Sequence, residues 1–480
     1  MEILIKAAQL ILAFVVLVTV HEFGHYIFAR IFGVKVNRFY LFFNPWFSLL
    51  RYDPRKGTLE VLAYNKNDGT PKAAATLRVG KPHPAVDGAK PTWRDTVYGL
   101  GWVPLGGYCD IAGMIDETKD AGDLESEPQS WELRSKPAWQ RLCVMVAGVV
   151  LNFVLAICIY IGIAFHWGDD VVPLQAMTEG MDFSQELLDA GFRNGDRLVS
   201  LNGKPMDATD YSLQWDMLQP GANVGVVRDG RDTVIVISDE LIRRIATKGK
   251  DYMPMTMRVP VYVAKTMPGE PAEHAGIMPG DHITMLNDTP VPSITEFLPT
   301  LQTFKGKTVD ARIERKTKVD TIVSLAVSDA GKIGIQMLSP YEIFDRQKVH
   351  YNFFESIPRG WEIGTDRLTS YVSSLKLVFT KEGAQSLGGF GTLGDLFPND
   401  WNWYSFWQIT AFLSIILAFM NIIPIPGLDG GHTLFLLVEM VTRRKPSDRF
   451  LEVANTCGFF FLILLLVYAN GNDIYRFFIK

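Results

Sequence analysis

Cysteine is scarce in this chain. Its 480 residues hold four, Cys109, Cys143, Cys158 and Cys457, and no two form a C-x-x-C pair. A disulfide framework and a zinc ribbon are therefore excluded, and the three that sit in apolar runs read as buried small hydrophobes. An excess of positive charge is also missing. Lys and Arg total 47 against 52 Asp and Glu, a formal net charge of −5. Neutralising phosphates requires a basic face, so nucleic acid is not an expected partner. With 48% hydrophobic and 21% charged residues, the chain also lacks the composition of a disordered protein. Its length allows roughly three units. No small-residue cleavage site follows the first apolar run, so that run reads as a retained anchor and not as a removed signal.

What the chain does have is uncharged length. Residues 142–165, 405–423 and 456–472 carry no charge, and residues 3–20 are interrupted only by Lys6 and Gln9. About 20 helical residues cross about 30 Å of hydrocarbon, so four membrane spans are expected. Arg30, Lys35 and Arg38 follow the first span, and Arg134, Lys136 and Arg141 precede the second. Arg443, Arg444, Lys445 and Arg449 lie between the third and fourth. Basic flanks remain on the cytoplasmic side, which sends residues 168–404 and both termini to the other side.

The translocated segment repeats itself. Residues 190–206 (AGFRNGDRLVSLNGKPM) and 275–291 (AGIMPGDHITMLNDTPV) match at an offset of 85 residues. Each reads as a glycine turn, an alternating strand and an N-x-x-P turn, which implies two copies of one small domain. Beyond them, Ile357, Trp361, Ile363, Leu368, Tyr371, Val372, Leu375 and Val378 fall near helical spacing. An amphipathic helix is expected there, packed on the second copy in preference to lying on the membrane surface.

Chemistry enters with His21-Glu22-Phe23-Gly24-His25, an H-E-x-x-H at the end of the first apolar run. On a helix, positions i and i+4 share a face, so two imidazoles can grip one metal. Glu22 lies beside that face, placed to take a proton from an attacking water. Ionisable groups deep in a membrane helix are costly and functional by default. A second half of the site lies in Asn421-Ile-Ile-Pro-Ile-Pro-Gly-Leu-Asp429-Gly-Gly-His432. Pro424, Pro426 and Gly427 interrupt helical hydrogen bonding, and irregular backbone at membrane depth is tolerated where it faces a cavity. A catalytic zinc takes three protein ligands and leaves one position open. Asp429 is the preferred third ligand. His432 competes for that role, or else supports the ligands from behind. His83, His166, His274, His282 and His350 read as structural.

These motifs, in this order, resemble the site-2 protease family of intramembrane zinc metalloproteases, in its bacterial four-span form with tandem PDZ domains between spans two and three. The G-D-x-[IL]-x-x-[IL]-N pattern of both repeats resembles PDZ domains, and Gly269, Pro271, Ala272 and Ala275 extend the likeness in the second. The resemblance implies a polytopic α-helical membrane protein of four transmembrane helices. To these it adds a membrane-associated β-hairpin and two tandem α+β PDZ domains on the translocated side. The expected divisions are 1–32 (first span), 33–140 (cytoplasmic, membrane-reentrant β region), 141–167 (second span), 168–257 and 258–340 (PDZ-like), 341–404 (helical connector), 405–445 (third span and N-x-x-P-x-P-x-L-D-G-G) and 446–480 (fourth span). It further implies Zn2+ on His21, His25 and Asp429, with Glu22 as general base.

The resemblance also implies that Asn421, Pro424, Gly106 and Gly107 contact substrate, the two glycines within a hairpin Pro104–Tyr108 that offers a strand edge. Expected substrates are spans of single-pass membrane proteins already cut by another protease, of the anti-sigma factor or remnant signal peptide type, in a bacterial inner membrane. The PDZ-like domains would contact peptide or exclude bulky ectodomains. Val149 stands where relatives have proline and Gly388–Gly391 where they have S-G-P, and neither stretch is expected to touch the metal set. Two rival readings are an inert membrane-tethered PDZ scaffold and a transporter. The intact Glu22 speaks against the first, and the lack of an inverted repeat against the second.

Overall fold

A helix satisfies every backbone polar group within its own segment, and lipid offers no substitute partner. The apolar runs accordingly form helices in this computed structural model, which describes residues 2–64, 73–83, 90–104, 106–114, 127–206, 217–248, 252–315, 320–378 and 388–478. Among the described residues, four stretches are long and apolar enough to cross a membrane: Glu2–Ile31, Ala138–Trp167, Trp403–Ile422 and Arg449–Tyr475. The chain separates into two compact units, residues 1–167 with 351–480, and residues 168–350.

In the first unit we number the helices α1 (Glu2–Ile31), α2 (Ala138–Trp167), α3 (Phe353–Val378), α4 (Phe390–Asp395), α5 (Trp403–Ile422), α6 (Asp429–Thr442) and α7 (Asp448–Phe478). Helix α2 is central, packing against α1, α3, α5 and α6. The expected third span, 405–445, is broken into α5 and α6, with residues 423–428 between them as Pro424, Pro426 and Gly427 require. Helix α7 begins earlier than its uncharged stretch, because Arg449 and Glu452 continue the helix at its polar end. Helix α4 is pinned to α7, where Asp473 Oδ2 accepts from the amides of Gly389 (2.9 Å) and Thr392 (3.0 Å).

Three expectations are corrected here. Helix α3 packs on α2, with Phe153 and Trp361 edge to face at 6.0 Å, where the expectation named the second repeat as its partner. An amphipathic stripe shows that a face is covered but not what covers it. Cys158 and Cys457 are exposed, not buried. Both lie on spans, where exposure means contact with lipid, so apolar character still suits them. Thirdly, the β region is a six-stranded mixed sheet and not a hairpin. Its strands are β1 (Val36–Leu41), β2 (Phe47–Asp53), β3 (Thr58–Tyr64), β4 (Ala73–Arg78), β5 (Val97–Leu100) and β6 (Tyr108–Ile111), in the order β4-β3-β2-β5-β1-β6. Strands β5 and β6 do not pair with each other. They flank β1, β5 in parallel and β6 antiparallel. Residues 101–104, 106 and 107 therefore lie past the end of β1, and β6 is left at the sheet edge. Leu105 lies outside the described residues.

The second unit carries the repeat. Strands Arg197–Leu201 and His282–Leu286, and turn strands Lys204–Pro205 and Thr289–Pro290, recur at the sequence offset of 85 residues. Asn202 and Asn287 both take left-handed backbone (φ 52° and 50°). Their side-chain oxygens accept from the amides of Asn223 (2.9 Å) and Asp310 (2.8 Å). Each copy has its own apolar core, one around Leu187, Met217 and Ile237, the other around Ile283, Phe297 and Ile313. A buried ionic knot joins them: Asp182 pairs with Arg258 and accepts from Ser293 Oγ (2.9 Å), while Arg258 also holds Glu296 (2.8 Å). The ends of the unit meet, since Asp169–Val171 pairs antiparallel with Gln347–Val349.

Candidate metal centre

Helix α1 carries His21 and His25 one turn apart, so both rings leave the same face, edge to face with centroids 4.9 Å apart. Their Nε2 atoms are 3.3 Å apart. Asp429, the first residue of α6, comes to them from 404 positions along the chain because the 423–428 break turns that helix end toward α1. Its Oδ2 lies 3.0 Å from His21 Nε2 and 3.2 Å from His25 Nε2. Both histidines are buried.

The geometry fits a metal. Four ligands at about 2.0–2.2 Å in a tetrahedron stand about 3.3–3.5 Å from one another. The three atoms here approach that triangle. Asp429 Oδ2 is buried yet makes no hydrogen bond, although two ring nitrogens stand beside it. Lone pairs converging on one point in a buried site call for a cation. Two nitrogens and one anionic oxygen form the donor set of a three-ligand zinc with an open position. Among the described residues, this is the one group of three or more His, Cys, Asp and Glu whose ligand atoms all lie within 4.8 Å of one another. His432 is outside it, although it lines the same cavity.

The imidazoles are held from behind. His25 Nδ1 donates to the Val144 carbonyl at 2.8 Å, which fixes the tautomer that presents Nε2. The Asn152 amide is 3.3 Å from His21 Nδ1, and its Oδ1 is buried without a partner. With Nε2 turned to a metal, His21 Nδ1 carries the proton and donates. Turning the amide over places its oxygen on that proton and satisfies both groups. A Cβ at Gly148 would stand 2.6 Å from His25 Nε2, and one at Gly24 would stand 2.6 Å from the Ala147 carbonyl, so α1 and α2 meet through glycines at the metal site. The Ala147–Asn152 stretch thus touches the metal set, contrary to the sequence expectation. One turn of α2 carries both Gly148 and Asn152 to one face, but nothing local marked that face as the one under the histidines. We predict that Asn152→Ala lowers zinc affinity about 10–100-fold. Competition against a chelator of known affinity reads this, and an unchanged constant would remove Asn152 from the support of His21.

A cavity of about 400 Å³ adjoins the three ligands. Glu22 lines it without joining the ligand set, and Cys109 on β6 lines it as well. Gly106, Gly107 and Tyr108 line the same cavity, as does Asn421, whose amide is 3.4 Å from His21 Nε2. Gly107 packs against Val18, one turn before His21 on α1. Pro424 is exposed on the break and is not among the residues lining the cavity. Asn455, on α7, lines it and was not singled out by the sequence.

The sequence pattern of Peptidase family M50 matches residues 9–59 and 86–465. The chain is 24% identical to the regulator of sigma E protease of Haemophilus influenzae, over 99% of this chain and 100% of the relative. It is 25% identical to the protease RseP of Yersinia pestis, over 99% and 100%. It is 25% identical to the regulator of sigma-E protease RseP of Escherichia coli K12, over 98% and 98%. The family match takes in the paired histidines, the distant aspartate and most of the chain between them: the chain belongs to peptidase family M50, the intramembrane zinc metalloproteases of the site-2 type.

Proposed function

We propose that this protein cuts the membrane span of single-pass proteins already trimmed by another protease, with His21, His25 and Asp429 as zinc ligands and Glu22 as general base. The observation that carries this reading is the placement of Glu22. It faces a cavity bounded on one side by the three converging ligand atoms and on the other by the free edge of β6. Zinc held there supplies Lewis acidity toward the scissile carbonyl and toward water. Glu22 takes the proton of the attacking water and passes it to the leaving amine. A span has no reactive peptide bond until it unwinds. The edge of β6, with Gly106 and Gly107 before it, can hold an unwound stretch extended by strand pairing, and Asn421 is placed to hold it near the metal. The relatives named regulator of sigma-E protease favour an anti-sigma factor, and a remnant signal peptide meets the same chemical requirement.

The basic flanks support an inner-membrane orientation with the β region cytoplasmic and residues 168–350 outside. In this reading the two repeats are PDZ-type domains that exclude bulky ectodomains. Their excision tests it. Residues Asp169–Val171 and Gln347–Val349 lie side by side, so a short linker can join Trp167 to Tyr351. The shortened protein is expected to cut a trimmed span as before, and also to cut one bearing a folded ectodomain that the full chain refuses. Equal refusal by both forms would remove the filter role.

A further inference from the structure

Helix α7 is the most lipid-exposed of the spans, with Phe460, Leu464 and Val467 each more than 60% exposed. One polar residue on it departs from that pattern. Asn455 is 8% exposed, lines the metal cavity, and its Oδ1 is buried without a hydrogen-bond partner. Its position is set by tight packing three residues further on. At Gly458 the helix meets the break, where an added Cβ would fall 1.7 Å from the Pro426 carbonyl oxygen, leaving no room for any other residue. Positions three apart share a helix face, so the contact that seats Gly458 on the break also turns Asn455 toward the cavity. In lipid, no solvent reaches such a group from outside, and an unmet amide there is retained at a cost in stability.

An N–H donor from a bound chain would meet the Asn455 oxygen. A stretch paired with β6 uses the backbone groups on one of its edges. Those on its other edge point into a cavity whose walls include Val18, Phe43, Met145, Leu417 and Leu428. The apolar part of the lining cannot satisfy them, which leaves its polar side chains outside the ligand set and Glu22: Tyr108, Asn421, His432 and Asn455. We propose that Asn455 is a substrate-binding residue: from α7, its side-chain amide hydrogen-bonds the backbone of the extended substrate on the edge that faces away from β6. The fourth span is thereby part of the recognition surface, and substrate is held between a strand on one side and a helix-borne amide on the other. This inference rests on the reading of a substrate extended along β6.

The test uses the full-length zinc-loaded enzyme and a model membrane span. Asn455→Leu, close in shape and unable to hydrogen-bond, is expected to lower kcat/KM about tenfold through KM, the loss of one hydrogen bond, at one zinc per chain and unchanged melting temperature. Asn455→Gln is expected to recover most of the loss. A series of substrates with single ester-for-amide replacements around the cut is expected to contain one on which wild type and Asn455→Leu are equal, because the bonded backbone group is already gone. Wild-type kinetics for Asn455→Leu would overturn the proposal. So would a loss that tracks lowered zinc or melting temperature, or one that no ester position erases. If wild type failed to cut any span, the protease reading itself would fall, a result distinct from all of these.

Discussion

Glu22→Gln is expected to lower cleavage by orders of magnitude and to leave the metal bound. Glu22 is not one of the three residues whose ligand atoms converge, so replacing it removes no donor from the site. Glutamine keeps the shape and one acceptor oxygen, and loses only the capacity to accept and return a proton. Positioned proton transfer contributes roughly 10²–10⁴-fold, and a fall of that size in single-turnover cleavage of a model span is expected, with zinc content still one per chain. Purified protein and one substrate suffice for the measurement. Equal cleavage by the two forms would remove Glu22 as the base and revive the inert-scaffold reading. The variant is also a tool. A form that binds zinc and substrate but does not turn over should co-purify with the membrane proteins it fails to cut, which identifies the natural substrate.

The parts of this site that were legible in the sequence share a property: each is written in a local pattern with one physical consequence. His21 and His25 are four apart, and a helix must bring them together. Pro424, Pro426 and Gly427 follow an apolar run, and the helix must break. Asp429 stands just past that break, where a buried carboxylate requires a cation. The 85-residue repeat likewise announced its Asn202 and Asn287 turns. What was not legible depends on contacts between distant segments. The Ala147–Asn152 turn looks like any small-residue patch on a span until α1 is laid against it. The parallel pairing of β1 with β5 is a long-range register that no turn residue between them encodes, so a glycine-rich stretch before β6 reads as a hairpin when it is a crossing. The stripe on α3 fits a protein surface as well as it fits α2. Asn455 carries no motif, and becomes informative only when its oxygen is found buried and unmet beside the metal cavity.

Asp429→Ala is expected to empty the metal site. Two neutral imidazoles on one helix turn remain, without the anion that balances a divalent charge in a buried setting. Losing a supporting residue outside the ligand set costs metal sites about 10–100-fold in affinity, and losing a ligand costs more, so zinc should fall well below one per chain after dialysis against a chelator. Folding should survive. Asp429 is the first residue of α6 but Leu428 is its N-cap and makes no side-chain cap bond, and the neighbours of Asp429 Oδ2 are the two histidine nitrogens, so alanine costs the helix only a first-turn negative charge, about 0.3–1 kcal/mol. Helix content and melting temperature therefore separate a lost ligand from a lost fold. Asp429→Asn refines the result: it keeps the shape and an oxygen but not the charge, and should retain more zinc than alanine and less than wild type. Full occupancy in Asp429→Ala would show that another cavity residue completes the site, His432 first among them, since it lines the same space one helical turn away on α6. In that event the convergence of Oδ2 with the two ring nitrogens would be an ion pair and not a coordination sphere, and the open position for substrate would have to be sought on the other side of the histidines.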